Sequence, residues 1–397
     1  MIARKGKGSD RKRKVILLFF LILGLSALTC TILLGLYLDP LSSTRRISPP
    51  VFEETYSTAT FLHEGIRNID YAIYEALYQD GIRDRDALLV NVQPKHFNGY
   101  TWDFIELSVK CDGLPSAQTL RKILTHGLIS LAPGIRFTNE DTAERKIVYH
   151  IFVRGFYTHR IVLGFDAPQP AAKDVRPKIA IIIDDLGYDS DVAFSLAHLN
   201  LPLTFSLLPA APFTERIARM ATKSGCEVML HLPMEPKSYP SVSPGPGALF
   251  LSMDEHEIRQ ILDQDLRGIP GIRGVNNHMG SAFTEDRDKI LVVLKDLKKR
   301  NLFYIDSLTT SNSVGLQLAF EIGLPGAGRS VFLDYNPEPK IIRMQMERFL
   351  SLARHSGTAI GIAHPHKETL KILEEYSTRI KADFHLVPVS ELVSETL

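Results

Sequence analysis

Residues 178–187 read KIAIIIDDLG, an uninterrupted apolar run that ends in two adjacent carboxylates, Asp184 and Asp185. A strand with one wet face would alternate apolar and polar residues. A run apolar at every position suits a parallel strand covered on both faces. Runs of the same texture recur at 203–208, 227–232, 273–278, 302–305, 330–333, 359–363 and 384–389. Amphipathic segments at 214–223, 253–266, 286–300, 340–355 and 367–380 separate them, and the second opens with Ser252-Met253-Asp254-Glu255, the spacing of a capping box. Seven or eight strand–helix units in about 220 residues predict a barrel closed or nearly closed on itself. A doubly wound open sheet would want a glycine-rich phosphate loop after its first strand, where this chain has Asp184-Asp185-Leu186-Gly187.

Upstream of that barrel, expected over 178–397, the stretch 167–177 has the Pro and Ala content of a linker, with Pro168, Pro170, Ala171, Ala172 and Pro177. Residues 56–166 read as a small α+β domain: helical spacing through Phe61, Ile66, Ile69, Ile73 and Leu77, a strand over 102–111, a helix over 116–131, and strands over 146–153 and 159–165. Its histidines, His96, His126, His150 and His159, are scattered and form no catalytic constellation. Residues 39–55 are a Ser/Thr/Pro/Arg linker.

The apolar run 15–38 is uncharged and exceeds the roughly 20 residues that span a bilayer. It is also longer than the apolar core of a cleavable signal, about 7–15 residues, so it reads as a retained transmembrane signal anchor. The tip, 1–14, carries Arg4, Lys5, Lys7, Arg11, Lys12, Arg13 and Lys14 against Asp10 alone. Basic residues stay on the cytoplasmic side. The expectation is therefore a single-pass protein of a bacterial inner (cytoplasmic) membrane, its carboxyl-terminal domain periplasmic or extracellular. The net charge of +1 over 397 residues conceals this basic tip and a mildly acidic body, which excludes nucleic acid as the expected partner. Three cysteines exclude a disulfide-stapled miniprotein.

Polar residues follow the ends of the apolar runs one after another: Asp184-Asp185, His231, Asn276-Asn277-His278, Asp306 and His364-Pro365-His366. In a barrel those ends converge on one mouth. Carboxylate and imidazole donors together suit Zn, Co, Ni or Mn better than Mg or Ca. Asp185 and His231 supply two ligands; the third is His278 or Glu235, which lies four residues after His231. An i, i+4 pair shares a helix face, but Pro233 and Pro236 argue against a helix there, which favours His278. No Gly-x-Ser-x-Gly elbow for a serine hydrolase is present.

Ile182-Ile183-Asp184-Asp185, the His231 segment and Ile362-Ala363-His364 resemble, in order and position, the motifs of the polysaccharide deacetylases of carbohydrate esterase family 4. The closer resemblance is to their divergent branch, through IAIIIDDLGYD, LPLTFSLLP, EVMLHLPMEP, GVNNHMGSAFTED, FYIDSLTTSNSV and IAHPH, and it covers about 178–393. It implies a distorted (β/α) barrel of the NodB-like kind, a divalent metal, and hydrolysis of N-acetyl groups on a cell-envelope or extracellular glycan. By that resemblance Asp184 matches the general base, His364 the general acid, and Asp185 and His231 metal ligands. The chain departs from the main family in placing Glu235 where a second histidine is usual, and Asn276-Asn277-His278-Met279-Gly280 where an Arg-x-Pro-Tyr loop supplies an oxyanion donor. These departures weigh on turnover more than on metal binding.

The chemistry expected is metal-dependent hydrolysis of a carbon–nitrogen bond other than a peptide bond. Asn277 or backbone amides near Leu208-Pro209 would serve the oxyanion, and Asp306 joins the catalytic set by its strand-end position. The competing expectation is a catalytically inactive glycan-binding or scaffold module on the same barrel.

Overall fold

The computed structural model describes residues 61–83, 86–97, 100–142, 144–164 and 176–395, all within one compact unit, Pro50–Leu397. The basic tip, the apolar run 15–38 and the linker 39–55 lie outside the described residues, as does nearly all of the linker 167–177. Among the described residues no helix is long and apolar enough to cross a membrane.

The first part is an α+β layer pair. Helices α1 (Phe61–Gln79) and α2 (Leu114–Ser130) cover strands β1 (Ala87–Phe97), β2 (Tyr100–Lys110), β3 (Ile135–Asp141), β4 (Ile147–Val153) and β5 (Phe156–Gly164), in the order β1-β2-β5-β4-β3. Only β2 and β5 run parallel. Ile69, Ile73, Leu120 and Leu124 from the helices meet Leu107, Val109, Ile151 and Ile161 from the sheet.

The second part is an α/β fold built on a curled parallel sheet. Its strands are β6 (Lys178–Leu186), β7 (Thr204–Leu207), β8 (Glu227–Met234), β9 (Ile272–Met279), β10 (Phe303–Asp306), β11 (Gly326–Gly328), β12 (Val331–Phe332), β13 (Thr358–Ala363) and β14 (His385–Leu386). They pair in the order β11-β10-β9-β8-β7-β6-β13-β12, with β14 alongside β6. The two ends of this path, β11 and β12, are separated by only Arg329 and Ser330, so the sheet has to curl until its edges approach each other. Helices α3 (Ser190–Ala197), α4 (Thr214–Lys223), α5 (Glu255–Arg267), α6 (Arg287–Lys299), α7 (Gly315–Glu321), α8 (Pro339–Ser356) and α9 (Lys367–Asp383) clothe it.

The continuous apolar runs now have a physical reason. Ile179, Ile181 and Ile183 face outward into the helix layer with Phe205, Leu230, Val275 and Tyr304. The intervening Ala180 and Ile182 face inward, where Met229, Ile305, Phe332, Ile360 and Ile362 fill the curl. Both sets are buried, and each large side chain so buried contributes about 1.5–3 kcal/mol. The inner layer is tightly filled: a Cβ at Gly274 would collide with the Phe303 ring, opposite it on β10.

Helix α8 serves both parts. Its inner side belongs to the core of the curled sheet through Phe349 and Leu350, while Ile341 and Met344 enter the core of the α+β part. Ser351 donates to the Ala87 carbonyl at 2.9 Å, and Arg348 meets the buried Asp70 at 3.2 Å.

Some details differ from the sequence reading. The capping box lies two residues later: Asp254 is the N-cap of α5 and pairs reciprocally with Glu257, because the chain is still extended at Asp254. Strands β1, β3 and β11 and helices α3 and α7 went unforeseen. Strand β11 is Gly-Ala-Gly, with no apolar run to signal it, and it exists because it pairs with β10.

Candidate active site and metal centre

The inward faces of the strands carry their alternation past the core and into the mouth. Asp184 continues the Ala180, Ile182 series, His231 follows Met229, and His364 follows Ile360 and Ile362. Val275 points outward, so Asn276 and His278 point inward. Asp184, Asp185, His231, Asn276, His278 and His364 are all buried.

Asp185 breaks the rule. By alternation it should face the helix layer with Ile181 and Ile183. Instead the register of β6 against β7 shifts between Ile183 and Leu186, and Asp185 adopts φ 57°, the left-handed region. The turn brings its carboxylate into the same mouth as Asp184. Such a conformation costs a non-glycine residue about 1–2 kcal/mol, least for Asp and Asn. Ala210, Met279 and Leu308, just at or past the ends of β7, β9 and β10, also have positive φ, so backbone strain concentrates around the mouth.

Three donors converge there. Asp185 Oδ1 lies 2.9 Å from His278 Nδ1 and 3.2 Å from His231 Nε2, and the two ring nitrogens are 3.2 Å apart. Ligands held about 2.0–2.1 Å from one ion, at angles between octahedral and tetrahedral, stand about 2.9–3.4 Å from each other. The triangle therefore has the size of a three-ligand face, and one carboxylate with two imidazoles is a Zn-type donor set. Burial disfavours the Asp185 carboxylate, but the two imidazoles outweigh it and hold its carboxyl well below the usual range.

Glu235 does not join them. Strand β8 continues through Pro233, so four residues of extended chain carry Glu235 about 13 Å from His231 instead of back onto it. Its carboxylate accepts the Leu251 amide at 2.7 Å and anchors the loop after β8.

Asp184 sits beside this triangle of donors, 3.7 Å from His231 Nε2, and accepts the Asn276 amide at 2.9 and 3.0 Å. Burial raises its pKa, partly offset by His231, His364 and Asn276. His364 stands in a different setting. Its Nδ1 donates to Asp334 Oδ1 at 2.8 Å, and Asp334 Oδ2 accepts the His364 amide and the Thr369 hydroxyl. Burial works against the imidazolium, yet Asp334, with Asp185 and Asp184 adding to it, pushes His364 up to about 9. Asp334, His364 and the exposed His366 also bring donors within 4.8 Å of one another. Asp334 is already committed to three hydrogen bonds, so this trio is an oriented imidazole and its carboxylate rather than a ligand set.

Three sequence expectations are corrected. Asp306 follows the inward Ile305 and so faces outward, where it accepts the Leu308 and Leu316 amides and the Ser313 hydroxyl and holds the loop before α7. Asn277 lies between the inward Asn276 and His278 and likewise faces outward; it donates to the Met279 carbonyl and accepts the Ser307 amide. The Leu208 amide donates to the Leu186 carbonyl, and Pro209 has no N–H, so neither serves an oxyanion. Two residues were missed. Asp334 ends the run 330–333 as His231 ends its own, and the strand-end rule applied to that run would have found it. Asn276 stands in the motif, and its parity with His278 is the signal that places it in the mouth.

The family model of the divergent polysaccharide deacetylases matches residues 181–393, more than half of the chain and all of the residues just described. The chain belongs to the divergent polysaccharide deacetylase family. It is 33% identical over 241 residues to the uncharacterized protein YibQ of Escherichia coli K12, covering 60% of this chain and 75% of that one. It is 30% identical over 217 residues to an uncharacterized protein of Haemophilus influenzae Rd, covering 55% and 77%. The crystal structure of the uncharacterized protein ATU2773 from Agrobacterium tumefaciens C58 superposes with a TM-score of 0.53 at 25% identity, over 56% of this chain and 92% of that one. The α+β part, residues 61–164, lies outside the segment that defines membership of the divergent polysaccharide deacetylases.

Proposed function

We propose that the protein is a membrane-anchored, exported deacetylase that removes N-acetyl groups from a cell-envelope glycan with the help of a divalent ion, Zn first among Zn, Co, Ni and Mn. The observation that carries this is the placement of Asp184 against the Asp185–His231–His278 triangle, with His364, oriented by Asp334, delivered to the same mouth. Asp185, His231 and His278 would hold the ion, which when bound polarises the acetyl carbonyl and acidifies water. Asp184, its basicity raised by burial, takes a proton from the attacking water. His364, still protonated at neutral pH, hands a proton to the leaving nitrogen, so that acetate and a free amine result. Environments that push two titratable groups apart in this way are how a base and an acid are assigned. Exposed Phe213 and Tyr239, on the loops after β7 and β8, suit the faces of sugar rings at the rim. The basic tip and the apolar run 15–38 support the membrane location.

The test is acetate release by the detergent-solubilised full chain from N-acetylated cell-envelope glycan. Release is expected with Zn, and a chelator should abolish it reversibly. One observation favours the second reading, a glycan-binding barrel without turnover: both expected oxyanion donors are engaged elsewhere. Glycan binding with no acetate under any of the four metals would establish that reading instead.

The His364 environment sets a pH dependence. Its folded pKa stands above the unfolded value, so its charged form, and the stability that form contributes, is fully present below about pH 6.5 and is lost as pH rises through about 9. Activity is expected to decline over that same alkaline limb. In Asp334→Asn the carboxylate that outweighs burial is gone, and the limb should move down by about 1–3 pH units. A kcat/KM profile whose alkaline limb stays in place would remove His364 as the acid.

A further inference from the structure

Asn276 is fully buried on the inward face of β9 and touches the base and a metal-ligating histidine at once. Its Nδ2 donates to Asp184 Oδ1 at 2.9 Å and Oδ2 at 3.0 Å, and to Ser307 Oγ at 3.2 Å. Its Oδ1 accepts the Ser206 hydroxyl at 2.5 Å and faces His231 Nδ1 at 2.9 Å. Only one orientation of the amide works. Reversed, it would set a carbonyl oxygen against the two oxygens of Asp184, with no proton between them.

We infer that Asn276 is a positioning residue with two separable duties, setting the tautomer of His231 and the placement of Asp184. Because Oδ1 can only accept, His231 carries its proton on Nδ1. The Nε2 lone pair is then the one presented beside Asp185 Oδ1, 3.2 Å away, where an ion would be held. The other end of the same amide spends its donors on Asp184 and fixes that carboxylate at the edge of the triangle. A cationic side chain here would serve Asp184 but could not accept from His231; a carboxylate would serve His231 but repel Asp184. An amide is the group that does both. Ser206 and Ser307, from β7 and the end of β10, fix the amide in turn.

The inference rests on the deacetylase reading for its kinetic part only. Its test separates the two duties in the full-length protein by Zn affinity, steady-state kinetics and the nitrogen-15 signature of the His231 ring. Asn276→Asp keeps the acceptor for His231 and loses the donor to Asp184. Zn affinity and the Nδ1-protonated signature should persist, while kcat falls about 10²-fold or more with KM little changed. Asn276→Leu, of similar volume, loses both faces. Zn affinity should fall about 10–100-fold and the tautomer preference should disappear. A merely structural role would lower both readouts in both variants in step with thermal stability, and that outcome overturns the inference. So does Zn affinity unchanged in Asn276→Leu. If wild type releases no acetate, the deacetylase reading falls, while the affinity and tautomer measurements still decide the role of Asn276.

Discussion

Asp184→Asn is expected to lower kcat for deacetylation by about 10²–10⁴-fold while Zn affinity stays near wild type. The substitution keeps the shape and the burial of the side chain and removes its capacity to take a proton. It does not touch Asp185 Oδ1, His231 Nε2 or His278 Nδ1, which form the triangle proposed to hold the ion. The new amide can turn its oxygen toward the Asn276 donor and keep one of the present hydrogen bonds. Folding should survive, since Asp184 is buried against its charge preference and the neutral amide relieves that cost. His364→Ala should lose turnover to a similar degree by removing the acid at the other side of the mouth. Steady-state kinetics and calorimetric Zn titration on the same preparations check both. If Asp184→Asn retains turnover, the base lies elsewhere. If it loses Zn as well, Asp184 is a ligand and its role as base is wrong.

The second large effect concerns the third ligand. His278→Ala should weaken Zn binding by more than about 100-fold, since changes outside the ligand sphere already cost 10–100-fold. Acetate release should fall with it at limiting Zn. Glu235→Gln, by contrast, should leave Zn affinity unchanged, because that carboxylate is spent on the Leu251 amide. Its effect should appear as a looser loop after β8, read by hydrogen exchange at Leu251. The opposite pattern, with Zn lost from Glu235→Gln and kept in His278→Ala, would reverse the assignment.

These expectations rest on a site that was partly legible beforehand. Asp184, His231, His278 and His364 each lie at or beside the end of an apolar run and share parity with the inward residues behind them. Strand alternation is a local property, so one run of sequence suffices to place them. Applied strictly, the same parity would have turned Asp306 and Asn277 outward. It would also have given Asn276 a place in the mouth and brought Asp334 in behind Phe332. A strand end alone names a height in the mouth; the face is what decides whether the side chain enters it. The Glu235 alternative failed for an equally local reason: an extended β8 carries the chain away from His231, where a helix would have brought it back.

The parallel sheet, the mouth at its carboxyl ends and most of the groups delivered there are legible in the chain alone, since continuous apolar runs leave few other ways to bury both faces of a strand. Tertiary structure alone decided the rest. Asp185 belongs to the mouth only because β6 slips its register against β7 and the backbone turns left-handed at that residue. Asp334 orients His364 across a gap of 30 residues, and Asn276 joins Asp184 to His231 across gaps of 92 and 45. The order β1-β2-β5-β4-β3 and the sharing of α8 between two cores are likewise set by pairing partners distant in the chain. A hydrogen bond between remote residues depends on the register of every strand that separates them, and that register exists only once the sheet has curled around its core.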